Sequence, residues 1–468
     1  MKQSLEKLLN HKVDHVHFIG IGGASMSGLA SILLHNGIHV SGSDIASSEN
    51  TEKLRAKGAD IRIPHNTENI DPSYDLVVYT AAVKSDNPER REAQRLSLPI
   101  MERSDFLGLL TRTFEHTIAV SGTHGKTTTT SMISSILYEG GLDPTVTVGG
   151  HVDVFNGNYH IGENRFFITE ACEYVDSFLK SFHKTGVILN IEEDHMDYFE
   201  NLKAIQDSFK KFARIIPQDG YLVVNGDSPA ILDVVTDLPC TLVTCGYGKD
   251  NRYQARKVEF DALGNGHFDV YKDGRFFESF DMVIPGEHNV LNALCAIAVS
   301  DLHGVEKKAM KTTLSSFKGA KRRFDLVGKE KGITVIDDFA HHPTELKATI
   351  KACKNFDHNN LWVVFQPYTY SRTYYFFDEF VASFAGADRV IINDISSDRE
   401  TNQWDIADED LSIAIQKNLQ IPAVHLSTYA EIVDYLMDHV ESGDLVLVAG
   451  AKTIYQTAYS FIERLKKQ

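Results

Sequence analysis

The chain has 468 residues, 24% charged and 43% hydrophobic, the make-up of an ordinary globular protein of about three domains at roughly 150 residues each. Its formal charge of −17 disfavours non-specific binding to nucleic acid or to an anionic membrane surface. The five cysteines (Cys172, Cys240, Cys245, Cys295, Cys353) are odd in number and include no C-x-x-C pair, so neither a disulfide framework nor a zinc knuckle is indicated.

The first residues, MKQSLEKLLNHKVDHVHFIG, lack the apolar core and small-residue cleavage site of a secretory leader, and no run approaches the ~18 apolar residues of a membrane span. A cytoplasmic protein with reduced thiols and no membrane insertion is expected. From Val13 to about Leu110, short apolar runs (HVHFIG, IHVSGSD, ADIRI, YDLVVYT, LPIME) alternate with helical stretches at 26–35 and 88–96, the rhythm of a parallel sheet. Gly20-Ile21-Gly22-Gly23-Ala24-Ser25 follows the first strand and opens the first helix of that rhythm. This nearly spells a dinucleotide fingerprint, with Ser25 in place of the third glycine. Its physics asks only for a diphosphate at a helix N-terminus, so NAD, FAD and a UDP-sugar all fit. Asp44, closing the second strand, reads equally as a ligand to that group or as a cap on local amides.

A second set of strands begins at Thr117 (TIAVSG, RFFITEA, TGVILNI, YLVVNGD, TLVTCGYG). It passes through a Gly-rich, hairpin-like stretch at 264–275 to a helix from Glu287 to about Leu302, with one apolar face from Val290, Leu291, Leu294, Ile297 and Ala298. Its informative segment is Ser121-Gly122-Thr123-His124-Gly125-Lys126-Thr127-Thr128-Thr129, between a buried strand and a helix running from Lys126 to Tyr138 and closing at Gly140-Gly141. Amides from Gly122 to Gly125 are expected around the phosphates of ATP, with Lys126 on the β/γ-phosphates, Thr127 on Mg²⁺ and Thr128 beside them. Val120 stands where the usual G-x-x-x-x-G-K-[ST] has its first glycine. A dehydrogenase has no need of a second phosphate loop about 100 residues after the first, so two diphosphate sites imply two substrates.

Glu170 and Glu173 end the strand RFFITEA, and the next strand runs into Glu192-Glu193-Asp194-His195. Parallel neighbours place these ends on the rim of the phosphate loop, where carboxylates and an imidazole can hold magnesium against a transferred phosphate. Glu170 and His195 are read as metal ligands. Glu192, Glu193 and Asp194 are read as solvated loop acids or helix-dipole partners.

The third set follows Phe317-Lys318-Gly319 with ITVIDDFA, LWVVFQP, RVIINDI and DLVLVAG. In Asp337-Asp338-Phe339-Ala340-His341-His342-Pro343-Thr344-Glu345 a strand ends in two carboxylates and Pro343 opens a helix, a rim suited to polar ligands. Arg322, Arg323 and Arg372 can clamp carboxylate or phosphate, whereas Lys321 reads as solvated.

Together, GTHGKTTT, the EACEY and NIEEDHMDYF pair, PGEHNVLNALCAI, KRRF, DDFAHHPTEL and FQPYTYSRT, in this order over nearly the whole chain, resemble the Mur ligases of peptidoglycan synthesis. The resemblance implies three α/β domains in series: a Rossmann-like N-terminal domain (1–112) for the UDP moiety, a central P-loop-type ATPase domain with a parallel sheet (113–318), and a Rossmann-like C-terminal domain (319–468) admitting the amino acid. It implies small-molecule substrates only: ATP, UDP-N-acetylmuramate and L-alanine, joined through an acyl phosphate with Mg²⁺, two ions, in attendance. Lys126, Thr127, Glu170 and His195 fall on the family's metal and phosphate positions, and His288, Asn289, Asn292 and Arg323 around the nucleotide. Asp337 falls on a ribose contact, His341, His342 and Tyr368 on the amino-acid pocket, and Arg372 on the clamp for the amino acid's carboxylate. Gly20, Gly22, Gly23, Ser25 and Asp44 then serve the UDP substrate.

Departures from the family pattern are concentrated late in the chain. Tyr368 stands where the family commonly writes His, Gly450-Ala451-Lys452-Thr453-Ile454 replaces Gly-Ala-Gly-Asp-Ile, and Asp394 to Glu400 varies D-I-Y-x-A-R-E. No lysine after EACEY aligns with the carbamylated lysine of sister ligases. Three rivals stand beside this reading. A ligase attaching a whole tripeptide is opposed by Phe-Gln-Pro followed by Ser-Arg-Thr at 365–373. A catalytically silent nucleotide sensor is raised by the altered C-terminal motifs and opposed by the retained Lys126, Thr127, Glu170, His195 and Arg372. A dehydrogenase is opposed by Ser25 and the second phosphate loop.

Overall fold

The computed structural model describes residues 1–397 and 400–467, so Asp398 and Arg399 of the variant 394–400 motif lie outside the described residues. The chain divides into two compact units, one of Met1–Ile191, Ile205–Gln254 and Leu294–Thr313, the other of Glu192–Ala204, Ala255–Ala293 and Leu314–Gln468.

The first unit opens with α1 (Lys2–Leu9), β1 (His15–Ile19), α2 (Ala24–His35), β2 (His39–Ser43), α3 (Glu49–Ala56), β3 (Asp60–Arg62), β4 (Leu76–Tyr79), α4 (Pro88–Arg95), β5 (Ile100–Glu102) and α5 (Arg103–Thr111). The five strands form a parallel sheet in the order β3-β2-β1-β4-β5. Val16, Phe18, Leu76 and Val78 line one buried face and Ile19 and Val77 the other, as central strands covered by helices on both faces require.

The phosphate-loop segment follows as β6 (His116–Ser121), α6 (Lys126–Glu139), β7 (Pro144–Val152), β8 (Gly157–His160), β9 (Glu163–Glu170), β10 (Thr185–Ile188), α7 (Leu202–Ile215), β11 (Tyr221–Asn225), α8 (Pro229–Leu232) and β12 (Thr241–Gly246). These strands lie in the order β12-β11-β10-β6-β9-β7-β8, parallel except for the β7–β8 hairpin. The two sheets of this unit share a core: Phe114 stacks on Phe167 of β9 at 4.9 Å between centroids, and Phe167 belongs to the apolar cluster under β1 and α2. The hairpin was not legible in the apolar pattern, because PTVTVGGHV breaks its alternation with two glycines and GNYH carries no β-rich run.

Strand β13 (Tyr253–Phe260) leads to β14 (Asn265–Lys272) and β15 (Arg275–Pro285), an antiparallel hairpin at the expected Gly-rich stretch. Next come α9 (Glu287–Leu302) and α10 (Lys307–Ser316). The single apolar face expected of α9 is corrected, since every residue from Asn292 to Ser300 is buried, the signature of a core helix. The chain ends with β16 (Asp325–Glu330), β17 (Ile333–Asp338), α11 (Pro343–Cys353), β18 (Leu361–Gln366), α12 (Tyr370–Tyr375), α13 (Phe377–Ser383), β19 (Arg389–Ile392), α14 (Asp410–Leu419), β20 (Ala423–His425), α15 (Tyr429–His439), β21 (Leu445–Gly450) and α16 (Tyr455–Lys467). Its sheet has the order β16-β17-β21-β18-β19-β20, parallel but for edge strand β16. Three α/β segments in series, the first and most of the second in the first unit, are the architecture that the alternating pattern predicted.

Candidate active site

The phosphate loop connects β6 to α6. Gly122 has φ 142°, and a Cβ there would lie 3.0 Å from that of Leu189. Gly125, at φ 80°, precedes the helix in a left-handed conformation that glycine alone adopts cheaply. Asn190 templates the loop from the neighbouring strand: its carbonyl accepts from Thr123 N–H at 3.2 Å, its Oδ1 from His124 N–H at 2.7 Å, and its Nδ2 donates to His124 O at 3.1 Å.

The ammonium of Lys126 donates to Gly122 O, to Thr123 O at 3.0 Å and to both oxygens of Glu173 at 3.1–3.2 Å. Glu173 has only 3% of its side chain exposed, so this carboxylate is a built-in counter-ion to the phosphate-loop lysine. Thr127 Oγ1 donates to Glu170 Oε2 at 3.1 Å, and Gly149 N–H of β7 holds the other oxygen. One hydroxyl and one carboxylate thus converge beside the loop, hard oxygen donors of the kind magnesium takes.

At the Gly-rich turn, Gly20 has φ 83°, and the N–H groups of Gly20 and Ile21 both donate to Ser43 O, at 2.8 and 3.0 Å. Gly22 N–H donates to Asp44 Oδ2 at 2.8 Å, and Ile45 N–H to Asp44 Oδ1. Of the two readings of Asp44, the local cap is therefore the arrangement seen. With the turn's own amides committed, the N–H groups of Ala24, Ser25 and Met26, which open α2 without intrahelical acceptors, are the ones at this helix start that an anion could meet. Gly23 and Ser25 are exposed at this crest. Beneath it, the fully buried Glu89 bonds Ser43 Oγ, Asn69 Nδ2 at 2.6 Å and Asn66 N–H at 3.1 Å. Burial alone would raise its carboxyl, but bonds from His17, His65, Ser43 and Asn69 outweigh that and hold it well below the usual range.

In the second unit the expectation for Asp194 is corrected. It is no solvated loop acid: at 7% exposure it accepts from Arg372 Nε at 3.0 Å and Nη2 at 2.8 Å, and Arg372 is itself 5% exposed. Arg372 Nη1 also donates to Tyr368 O at 3.3 Å, so each terminal nitrogen keeps one N–H beyond these bonds. His195, at φ 55°, donates its backbone N–H to Asp194 Oδ1.

His342 caps α11 by accepting from Thr344 N–H at 3.3 Å, and His341 Nδ1 lies 2.9 Å from Phe339 O. Burial pushes the His341 imidazole down to about 4, so it is neutral near pH 7. Tyr368 meets both later departures and the clamp: it pairs with Ser396 in an isolated parallel bridge, and Lys452 Nζ lies 5.2 Å and the Arg372 guanidinium 5.9 Å from its ring.

Asp337 requires a second correction. Its carboxylate is fully buried in β17 and paired with Arg322 Nε at 3.2 Å, so it offers no surface to a ribose. Arg323 stacks its guanidinium over Phe339 at 4.9 Å. Asn289 and Asn292 are buried and bonded to each other at 3.1 Å, while His288 is exposed.

Comparison with known proteins meets this geometry. Three family models match in series: the Mur ligase family catalytic domain over residues 15–115, the Mur ligase middle domain over 120–300, and the Mur ligase glutamate ligase domain over 322–452. The UDP-N-acetylmuramate–L-alanine ligase of Alkaliphilus metalliredigens is 47% identical over 96% of this chain and 97% of its own. This chain belongs to the Mur ligase family.

Among solved Mur ligase structures, the UDP-N-acetylmuramate-alanine ligase of Thermotoga maritima is 28% identical with a TM-score of 0.80, covering 97% of this chain and 99% of its own. A murein peptide ligase from Psychrobacter arcticus reaches 25% and 0.73, covering 97% and 99%. Within this Mur ligase the first unit brings together Lys126, Thr127, Glu170 and the loop amides, and separately Gly20, Gly22 and Asp44. The second gathers Tyr368, His341 and Arg372. Sequence reasoning missed the roles of Asn190, Gly149, Glu173 and Asp194. A polar residue just past a strand adjacent to the phosphate loop was the available signal for Asn190.

Proposed function

We infer that this Mur ligase joins L-alanine to the lactoyl carboxylate of UDP-N-acetylmuramate at the expense of ATP, in peptidoglycan precursor synthesis. Near-full-length similarity to enzymes named for that reaction carries the reading. Residues 1–112 hold the UDP substrate, 113–318 hold ATP and 319–468 admit the amino acid, in the cytoplasm. Among the described residues no helix is long and apolar enough to cross a membrane.

The chemistry follows from the charges. The substrate carboxylate attacks the γ-phosphorus, ADP leaves, and an acyl phosphate forms. The amine of L-alanine then attacks the acyl carbon, and inorganic phosphate and a proton depart. The first step brings anions together, and the Lys126 ammonium with the loop amides offsets their repulsion, the kind of preorganised contribution worth several kcal/mol. Thr127 and Glu170 are the residues of the first unit that would hold Mg²⁺, which when bound would neutralise charge on the transferring phosphoryl group, and the family resemblance assigns the same role to His195. The remaining N–H groups of Arg372 take the amino acid's carboxylate, with Tyr368 and the neutral His341 beside it.

Phosphate release from ATP with Mg²⁺ and UDP-N-acetylmuramate, compared for L-alanine, glycine, L-serine and the tripeptide with product masses, tests the reading. Release strongest with L-alanine and a matching adduct supports it. Preference for the tripeptide transfers the chain to the peptide-recycling reaction of the murein peptide ligases, and no release with any amine leaves a silent nucleotide binder.

A further inference from the structure

We propose that the β7–β8 hairpin is a positioning strut of the reaction, with Tyr159 and Asn158 at its end fixing the diphosphate-binding helix start against the phosphate-loop rim. The inference rests on the reading of 20–25 as the diphosphate turn.

The end of the hairpin meets α2 through side chains. Asn158 Nδ2 donates to the carbonyl of Ala24, the first residue of α2, at 2.9 Å. The N–H of that same residue is one of the three that open the helix toward an anion. Tyr159 Oη accepts from Ser31 Oγ on α2 at 3.0 Å and from Lys57 Nζ, just past α3, at 2.8 Å. Its ring lies against Gly28: a Cβ there would stand 3.5 Å from Tyr159 Cβ and 3.7 Å from Thr147 Cγ2. Gly28 thus provides close approach between α2 and the hairpin, the service that the third glycine of a dinucleotide fingerprint gives to a helix and its own sheet.

The base of the hairpin meets the rim. Tyr159 pairs with Thr147 across the strands, and Thr147 Oγ1 bonds Thr169 Oγ1 of β9 at 2.9 Å. Two residues beyond Thr147, Gly149 N–H bonds Glu170, whose other oxygen accepts from Thr127. A continuous set of pairings therefore links Ala24 to Thr127. Acyl-phosphate formation needs the UDP-borne carboxylate and the γ-phosphoryl group at a fixed separation, and an ångström of misplacement costs about 10²-fold. The hairpin is the built element that sets this separation within the first unit.

The test is steady-state kinetics of the full chain as Tyr159→Phe and Asn158→Ala, with thermal melts. Tyr159→Phe keeps the ring and removes only the hydroxyl. Both variants are expected to lower kcat about fivefold or more and to raise the KM for UDP-N-acetylmuramate about five- to twentyfold, while the KM values for ATP and L-alanine stay within about twofold and the melting temperature within about 2 °C. Unchanged KM values in both variants, or loss of kcat with a lowered melting temperature and no change in KM, would overturn the strut and leave an ordinary structural contact. Gly22→Ala, whose Cβ would sit 2.9 Å from Asp44 Oδ2, serves as the control on the underlying reading. If it leaves the KM for UDP-N-acetylmuramate unchanged, the diphosphate turn itself is misassigned, whatever the hairpin variants do.

Discussion

Asp194→Ala is the perturbation with the clearest expected size. Asp194 and Arg372 are nearly excluded from water and bonded at 2.8 and 3.0 Å. At about 3 Å and an effective dielectric of about 20, their attraction is roughly 5 kcal/mol, and part of it offsets desolvation of the two ions. Removing the acid strands a buried guanidinium, which costs about 3–5 kcal/mol, whereas replacing both partners by apolar side chains of similar volume is close to neutral. The cycle of Asp194→Leu, Arg372→Met and the double variant should therefore give a coupling energy of about 2–4 kcal/mol. The chain supplies its own probe. Its two tryptophans, Trp362 and Trp404, both lie in the second unit, so intrinsic fluorescence in a urea titration follows that unit. Burial alone would raise the Asp194 carboxyl, but Arg372 and His195 hold it well below the usual range. It stays ionised throughout the working range, and the coupling should be equal at pH 5 and pH 8. A coupling below about 0.5 kcal/mol would return Asp194 to the status of a solvent-screened surface acid.

Three further outcomes are expected. Lys126→Ala should lower phosphate release by about 10³-fold or more, by removing charge compensation at the phosphoryl group; release at the wild-type rate would withdraw that role. Tyr368→His and Lys452→Gly should each raise the KM for L-alanine and the double variant should recover part of the loss, since the Lys452 ammonium over the Tyr368 ring is worth about 0.5–2 kcal/mol. Strictly additive effects would show the two departures to be unconnected. Burial pushes the Asp337 carboxyl up to about 7, against the pull of Arg322 and with help from Asp338. Its folded pKa thus exceeds its unfolded value near 4, so the native state binds the extra proton and this group's contribution falls as pH rises from about 4 to 7, by roughly 4 kcal/mol at most. Asp337→Asn should flatten that part of the urea-midpoint profile, and a wild-type profile in the variant would exclude the carboxyl as its source.

The alternation of apolar runs made the three parallel sheets legible, because buried strands between helices need continuous Val, Ile and Leu. The loop at 121–129 was legible for a different reason: Gly122 and Gly125 are needed by backbone conformations that other residues avoid, and Lys126-Thr127 by phosphate chemistry. What stayed hidden depends on register between distant segments. Nothing local marks Tyr159 as a partner of Ser31 and Lys57, or Asp194 as a partner of Arg372, 178 positions away. Asp337 misled in the opposite sense. An acid at a strand end normally reads as a rim ligand, but pairing with Arg322 turns this one inward.

Three acids, two of them undervalued by sequence reasoning, share one physical role. Glu173 sits on the Lys126 ammonium, Asp194 on the Arg372 guanidinium, and Asp44 on the Gly22 amide of the diphosphate turn. Two of these donors are cations with little exposure, and a buried cation without a counter-ion costs several kcal/mol. A carboxylate supplied by the chain removes that cost and fixes the direction in which the donor points. If Lys126 and Arg372 hold substrate anions as proposed, it also moderates the field that each anion meets, so a phosphate or carboxylate would be held by the donors left over rather than by an uncompensated positive charge. For an enzyme that must release ADP, phosphate and a UDP-linked product in every cycle, that moderation serves turnover, since interactions equally strong in substrate, transition state and product lower KM without raising kcat. The negative overall charge of the chain is thus compatible with a protein that handles three anions: Lys126 and Arg372, the two cations proposed to meet them, are each already matched by a carboxylate.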